Sequence, residues 1–166
     1  DMTCDTFSIK KIVLPDIKAK LSGKAYCELV EKATKQGIDV EYISAGDIIF
    51  NGNIVKEIND INKLKANNKD TIIECIHPTP QYDYSCANDY SAVYMVTYNK
   101  FKTLMTGDIQ EAAEKYIINN QALSEISVLK TAHHGSSTSS NEEFLNIIKP
   151  KVAIISCGIN NRYHHP

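Results

Sequence analysis

The chain has 166 residues, 43% of them hydrophobic and 23% charged, which is the balance of one globular domain with a substantial core. Its net charge of −2 and isoelectric point near 6.2 exclude a surface that is basic over most of its area, although they leave room for a local basic patch. The sequence has no apolar run near the ~20 residues that a spanning helix needs, and its five cysteines, without a Cys-x-x-Cys pair, do not indicate a disulfide framework or a zinc ribbon.

The first part of the chain predicts a strand, a helix and a second strand. Residues 8–14 are rich in β-branched side chains and stop at Pro15, which is typical of a strand. Ser22 is placed to cap the following helix, and Gly37 is placed to end it. The apolar positions of one helical face between them are Tyr26, Leu29, Val30 and Ala33. Residues 40–44 predict the next strand.

A hairpin and a polar segment follow. Asn51-Gly52 stands between apolar runs at residues 48–50 and 54–55, and this dipeptide strongly favours a two-stranded hairpin. Residues 56–69 are rich in Asn and Lys, and they predict an exposed insertion.

The centre of the chain predicts three more strands. Residues 71–76 form an apolar run that ends at His77-Pro78, and residues 79–89 are irregular. Residues 91–98 and 101–105 predict two strands joined by a tight turn.

Strands and helices alternate from there to the end of the chain. Residues 111–119 predict a helix, and residues 126–131 and 152–157 predict strands. Ser140 and Glu143 have the spacing of a capping box for a further helix. The inward positions expected on the two helices are Ala112, Ala113, Tyr116, Ile117, Phe144, Leu145 and Ile148. Hairpins followed by alternating strands and helices predict an α/β fold in which helices cover sheets.

Three polar blocks each follow one of these apolar runs. They are Thr-Gly-Asp at residues 106–108, His-His-Gly-Ser-Ser-Thr-Ser-Ser at residues 133–140 and Asn-Arg-Tyr-His-His-Pro at residues 161–166. Strand ends in αβ architectures often carry ligand sites, so the three blocks are expected to meet at one spot. Carboxylate and neutral imidazole are ligands that zinc, iron and manganese accept.

These blocks, in this order, resemble the metallo-β-lactamase-fold domain of the ComEC-type DNA-internalisation competence proteins and their stand-alone relatives. Fainter matches lie upstream, in Ala-Gly-Asp at residues 45–47, Ile-His-Pro at residues 76–78 and Asn-Asp-Tyr-Ser at residues 88–91. The resemblance implies an αββα sandwich. Residues 1–166 would form a single, partial domain of that kind, truncated at the N-terminus and the C-terminus.

The resemblance also implies a metal site that contains Asp108, His77, His134 and His133. Zinc or manganese would be the cofactor, with two ions in an intact domain. His134 directly precedes Gly135, as the ligand does in the wider superfamily, so His134 is the first choice and His133 the second. Neighbouring side chains on extended chain point to opposite sides, so one of these two histidines is expected to face the site. Plainer roles stay open: Asp108 as a turn or helix-cap residue, and His77 as a loop histidine.

Further roles are implied by the same resemblance. Catalytic roles would fall to Asp108, His134 and His165. Substrate contacts would fall to Ser136, Asn88 and Arg162, the last through its planar fork. His164 replaces the glycine of the family pattern, which reduces backbone freedom at that position. Two alternatives to these roles stay open. Asn88 would form an Asx turn, and residues 161–166 would be a chain end that is fixed by packing.

The superfamily motif His-x-His-x-Asp-His has no counterpart in this chain, and residues 1–5 hold no histidine. Two hypotheses follow. The chain is a metal-dependent hydrolase, a phosphodiesterase or nuclease with DNA as its partner in competence-related uptake, or it is a non-catalytic fragment or remnant that serves as a packing or interaction module. Localisation is open between a stand-alone cytoplasmic protein and a soluble domain of a membrane competence protein.

Overall fold

A small parallel βαβ unit begins the fold. The computed structural model describes residues 8–17, 24–66, 70–163 and 165–166, so residues 1–5, Ser22 and His164 lie outside the described ranges. Strand β1 (Lys11–Pro15), helix α1 (Lys24–Lys35) and strand β2 (Asp39–Ile43) follow in the predicted order. The two strands pair in parallel, and Gly37 adopts a φ of +69° just after the helix, as a C-terminal glycine does.

A seven-stranded mixed sheet forms the body of the molecule. Its strands are β3 (Ile48–Phe50), β4 (Asn53–Val55), β5 (Ile72–His77), β6 (Val93–Tyr98), β7 (Phe101–Met105), β8 (Val128–Lys130) and β9 (Val152–Ile154). They lie in the order β4-β3-β5-β6-β7-β8-β9, and every pair up to β7 is antiparallel. The predicted hairpin is confirmed, with Asn51 and Gly52 both at positive φ between β3 and β4.

The last three strands of this sheet are parallel. Strand β8 pairs in parallel with β7, and β9 pairs in parallel with β8. Helix α3 (Glu111–Asn120) connects the first of these pairs, and helix α4 (Glu142–Ile148) connects the second. The carboxyl ends of β7, β8 and β9 therefore lie along one edge of the sheet, and each is followed by one of the three polar blocks.

Helices α3 and α4 pack on one face of the sheet. Ile117 and Phe144 from the helices join Val93, Leu104 and Leu129 from the strands in one buried cluster. Met105, Val152 and Ile154 are 46%, 53% and 54% exposed. This arrangement confirms the predicted mixed α/β fold class. Within the described ranges, no helix combines the length and the apolar character that crossing a membrane requires.

Residues 56–69 were predicted to be an exposed insertion, and most of the described side chains in this segment are exposed. Residues Ile58–Ala66 form helix α2. Ile61 of this helix is buried against Ile48 and Ile72 of the sheet. A helix with so few apolar residues gives a weak periodic signal, and contact with the sheet decides its structure.

The predicted capping box at Ser140 and Glu143 was wrong. Ser140 has a φ of +58°, and Asn141 is the N-cap of α4 without a side-chain cap. The buried carboxylate of Glu114, on α3, instead accepts hydrogen bonds from the backbone N–H of Ser140 at 2.5 Å and of Asn141 at 3.0 Å. It accepts a third from the Asn141 side-chain amide at 2.7 Å. Ala112, expected inward, is exposed.

Replacing Glu114 with Ala should lower the free energy of unfolding by about 2–4 kcal/mol, because buried donors lose a charged acceptor. Urea unfolding followed by far-UV circular dichroism measures the change. The matched control is Glu111→Ala on the same helix, whose ion pair with Lys115 is exposed and should contribute little. Equal losses for the two variants would contradict the role assigned to Glu114.

Candidate functional site

An open cleft of about 410 Å³ lies where the three polar blocks follow the strand ends. Its lining residues are Asn88, Asp108, His133, His134, Tyr163 and His165. The structure therefore brings together five of the residues singled out from the sequence. His77, Ser136 and Arg162 do not line this cleft.

Asp108 lies in the turn after β7 with its side chain 42% exposed. Gly107 has a φ of +57°, and the backbone N–H of Asp108 donates to the hydroxyl of Ser91 at 3.1 Å. The alternative role of Asp108 as the cap of α3 is wrong, because the carboxylate of Asp89 accepts the backbone N–H of Gln110 at 2.7 Å. Asp108 is thus left with its carboxylate facing the cleft.

His133 and His134 do not lie on extended chain. They have φ values of +45° and +56°, so both are in the left-handed region within a short 3₁₀ turn. The extended backbone expected at these two residues is therefore absent, and both rings line the cleft with centroids 6.4 Å apart. Left-handed backbone at non-glycine residues costs roughly 1–2 kcal/mol each, and such strain is concentrated at functional sites.

The environment of His134 fixes the tautomer of its neutral ring. Its Nδ1 lies 2.7 Å from the backbone carbonyl oxygen of Ser156, which can only accept a hydrogen bond. Nδ1 therefore carries the proton, and Nε2 of the neutral ring presents a lone pair. That Nε2 lies 3.6 Å from Oδ1 of Asp108. Two lone-pair atoms that face each other at this distance attract a cation between them.

Asn88 and Asn161 hold the other two histidines of the cleft. The Asn88 side-chain amide lies 3.4 Å from Nε2 of His133, while Nδ1 of His133 is buried and has no hydrogen-bond partner among the described residues. The side chain of Asn161 accepts the backbone N–H of His165 at 3.0 Å and donates to its carbonyl at 3.1 Å. The rings of His133 and His165 lie 5.5 Å apart.

The donor set fits a divalent metal ion in part. Two ligand atoms on tetrahedral zinc, with bonds of roughly 2.0–2.2 Å, lie about 3.4 Å apart, which is close to the separation between Asp108 and His134. A hydrogen bond from the far ring N–H to a backbone carbonyl is a usual support of a metal-bound histidine. Across residues 8–17, 24–66, 70–163 and 165–166, no three His, Cys, Asp or Glu side chains are already close enough to hold an ion.

His77 lies behind the cleft and is fully buried. Its Nε2 lies 2.7 Å from the carbonyl oxygen of Asp89, and its ring packs edge-on against Tyr84 with centroids 5.3 Å apart. Burial lowers the pKa of His77 below its ordinary value of 6.5, and the bond to the Asp89 carbonyl offsets this only in part. His77 therefore supports the turn that carries Asn88 and Asp89.

Two expected substrate residues, Ser136 and Arg162, lie outside the lining of the cleft. The hydroxyl of Ser136 lies 3.0 Å from that of Thr138, within their own turn. The guanidinium of Arg162 lies 4.7 Å from the centroid of the Tyr163 ring, beside the cleft.

Sequence reasoning did not single out Tyr163 and Asn161, and it gave Asp89 and Ser91 only a vague supporting role. Tyr163 and Asn161 lie within the third polar block, on either side of Arg162, so their place in this block was the available signal. The capping role of Asp89 depends on tertiary contact with α3, which no local pattern shows.

Several known bacterial proteins have sequences similar to this chain. No protein-family model matches the chain. The chain is 30% identical to ComE operon protein 3 of Bacillus subtilis over 158 residues, which cover 95% of this chain and 18% of that protein. It is 40% identical over 79 residues to Recombination protein 2 of Haemophilus influenzae, covering 48% of this chain and 10% of that protein. It is 38% identical over 80 residues to Competence protein ComA of Neisseria gonorrhoeae, and these residues cover 48% of this chain and 12% of that protein.

The chain thus spans less than a fifth of the length of these curated relatives. Their names support the likeness to competence proteins that the three polar blocks predicted.

Gly107→Ala should damage the turn that carries Asp108. A Cβ at Gly107 would lie 2.7 Å from Cβ of Ser91, and this overlap adds about 1–3 kcal/mol to the cost of left-handed backbone. Thermal and urea unfolding measure the loss. Gly46→Ala is the matched control, because Gly46 is also at positive φ but has open space around it. If Gly46→Ala were the more damaging of the two, steric contact with Ser91 would not matter.

His77→Gln should flatten the dependence of stability on pH. Because the pKa of His77 is lowered on folding, the unfolded chain binds a proton that the folded chain does not. The wild type therefore has the full contribution of His77 above pH 6.5, and it loses stability as the pH falls below this value. Urea unfolding at about pH 7.5 and about pH 5.5 measures the difference. Identical pH dependence in the two proteins would show that His77 is not the group responsible.

Proposed function

We propose that this chain is a metal-dependent hydrolase with a metallo-β-lactamase-like fold, and that it cleaves phosphodiesters of nucleic acid during competence-related DNA uptake. The competence part rests on the relatives, since ComA of Neisseria gonorrhoeae is named as a competence protein. The hydrolase part rests on the geometry of the cleft and on the resemblance of the three polar blocks.

The observation that carries the proposal is the pair formed by Asp108 and His134. The carboxylate and the ring Nε2 lie 3.6 Å apart at the surface of the cleft, and the Ser156 carbonyl holds the ring in the tautomer that presents a lone pair. In the neutral ring, this lone pair faces the carboxylate with no proton between them. A divalent cation between them satisfies both groups.

Asp108 and His134 would hold the ion. When bound, a divalent ion supplies Lewis-acid stabilisation of the charge that develops on phosphoryl oxygens. Zinc and manganese both suit one carboxylate and several imidazoles.

The remaining residues of the cleft would handle protons and position the substrate. The ring of His165 is half-buried and close to His133, so one ring can accept a proton from water while the other donates one to the leaving oxygen. The Asn88 amide orients His133 for this task. Arg162 is exposed next to the cleft, where its guanidinium can meet a phosphate.

The test pairs metal content with cleavage. The purified wild type should bind manganese or zinc and cleave labelled DNA, and Asp108→Ala should lose both, with cleavage reduced at least about 100-fold. Mass spectrometry of the metal-loaded protein and gel assays of labelled DNA measure the two effects. The matched control is Asp60→Ala, which removes an exposed carboxylate of α2 paired with Lys63.

A non-catalytic interaction module is the second candidate. It is favoured by one observation, that the described residues hold no three-ligand cluster already assembled. A folded wild type that binds neither metal and leaves DNA intact would favour the interaction module and contradict the proposed hydrolase activity.

A further inference from the structure

A series of planar groups leads from the Asp108–His134 pair to the solvent. The rings of His134 and His165 are stacked with centroids 6.1 Å apart and planes at 27°. His165 and Tyr163 are stacked in the same way, at 5.6 Å and 25°. The guanidinium of Arg162 then lies 4.7 Å from the centroid of the Tyr163 ring. The three rings are thus within 27° of parallel from one to the next, from the inner cleft to its outer rim.

Tyr163 is the exposed member of this series. It is 62% exposed, and it also lines the cleft that contains Asp108. Its backbone N–H donates to the side chain of Asn161 at 3.2 Å, the same side chain that binds His165. Its hydroxyl accepts a hydrogen bond from Arg162. The ring is therefore held at the rim by specific contacts, although most of its surface is open to solvent.

This combination of an exposed aromatic ring and a planar cation is what an unpaired base binds. Aromatic side chains and Arg guanidinium planes stack with bases that are not already stacked in a duplex, and such contacts tolerate every sequence. Because Tyr163 and Asp108 line one cleft, a base stacked at the rim brings its own phosphates close to Asp108. A duplex keeps its bases paired and stacked, so it cannot use the same contact.

We propose that Tyr163, with Arg162, is a base-stacking subsite that selects single-stranded nucleic acid for the cleft. This inference rests on the proposed function, because it names the form of the substrate that the hydrolase takes. It assigns to Tyr163 the recognition of bases and leaves bond cleavage to the Asp108–His134 pair.

The test measures binding without cleavage. Fluorescence anisotropy of a labelled single-stranded DNA oligonucleotide is followed in excess chelator, so that no divalent ion is present. Tyr163→Ala should weaken binding roughly 5- to 150-fold, which corresponds to the loss of one stacked base. Tyr163→Phe should bind nearly as well as the wild type, because the ring remains. Tyr98→Ala is the matched control, since Tyr98 is 53% exposed at the far end of β6.

A second probe separates bases from backbone. An oligonucleotide of the same length that lacks its bases should bind the wild type as weakly as the complete strand binds Tyr163→Ala, and Tyr163→Ala should not weaken it further. Duplex DNA should likewise respond little to the substitution.

The stacking subsite is overturned if the folded wild type does not bind the single strand, or if Tyr163→Ala affects complete and base-free strands equally. Failure of the proposed function is a different result. In that case Tyr163→Ala would still weaken single-strand binding, while the wild type with manganese or zinc would cleave no nucleic acid.

Discussion

The bonds made by Asp89 hold the candidate site together. This residue is 3% exposed, and its carboxylate accepts the backbone N–H groups of Gln110 and Ala113 at the start of α3. A negative charge is favourable at a helix N-terminus, both as a cap and against the helix dipole. The carbonyl of Asp89 meets His77 on its other side. One buried residue therefore ties strand β5, the 3₁₀ turn at Ala87–Tyr90 and helix α3 together.

The residues near Asp89 in the chain connect this turn to the cleft. Asn88 reaches His133, and Ser91 accepts the N–H of Asp108, so the same turn positions two of the polar blocks. Strand pairing within the sheet is a further constraint on the positions of the polar blocks. Met105, Lys130 and Ile154 lie in register across β7, β8 and β9. The three blocks begin 1, 3 and 7 residues after them along the chain. The site thus depends on the pairing of parallel strands as well as on its loops.

The sequence predicted the parts of this structure that have local signals. The Asn51-Gly52 turn requires positive φ at both positions, so its hairpin could be located to the residue. Asp108, His133, His134 and His165 were grouped because each follows an apolar strand, and the structure places all four in one cleft. Their metal-binding and catalytic roles stay predictions.

What the sequence did not predict depends on contacts between distant segments. Helix α2 has few apolar residues and is stabilised where Ile61 meets the sheet. Glu114 belongs to α3 but serves the N-terminus of α4, so the local spacing of Ser140 and Glu143 was misleading. His77 follows a strand as a ligand would, yet the bulge at the end of β5 and the Asp89 carbonyl keep it inside. Backbone φ at His133 and His134 likewise has no residue signature, since neither is glycine.

The carbonyl oxygen of Gly107 joins two turns that are far apart in sequence. It accepts the backbone N–H of His133 at 3.1 Å and the side-chain ammonium of Lys130 at 3.0 Å. Asp108 is the next residue along the chain, so the turn that carries its carboxylate is bonded directly to the backbone of the histidine pair. The relative position of Asp108 and His133 is therefore fixed by one backbone oxygen as well as by the pairing of their strands.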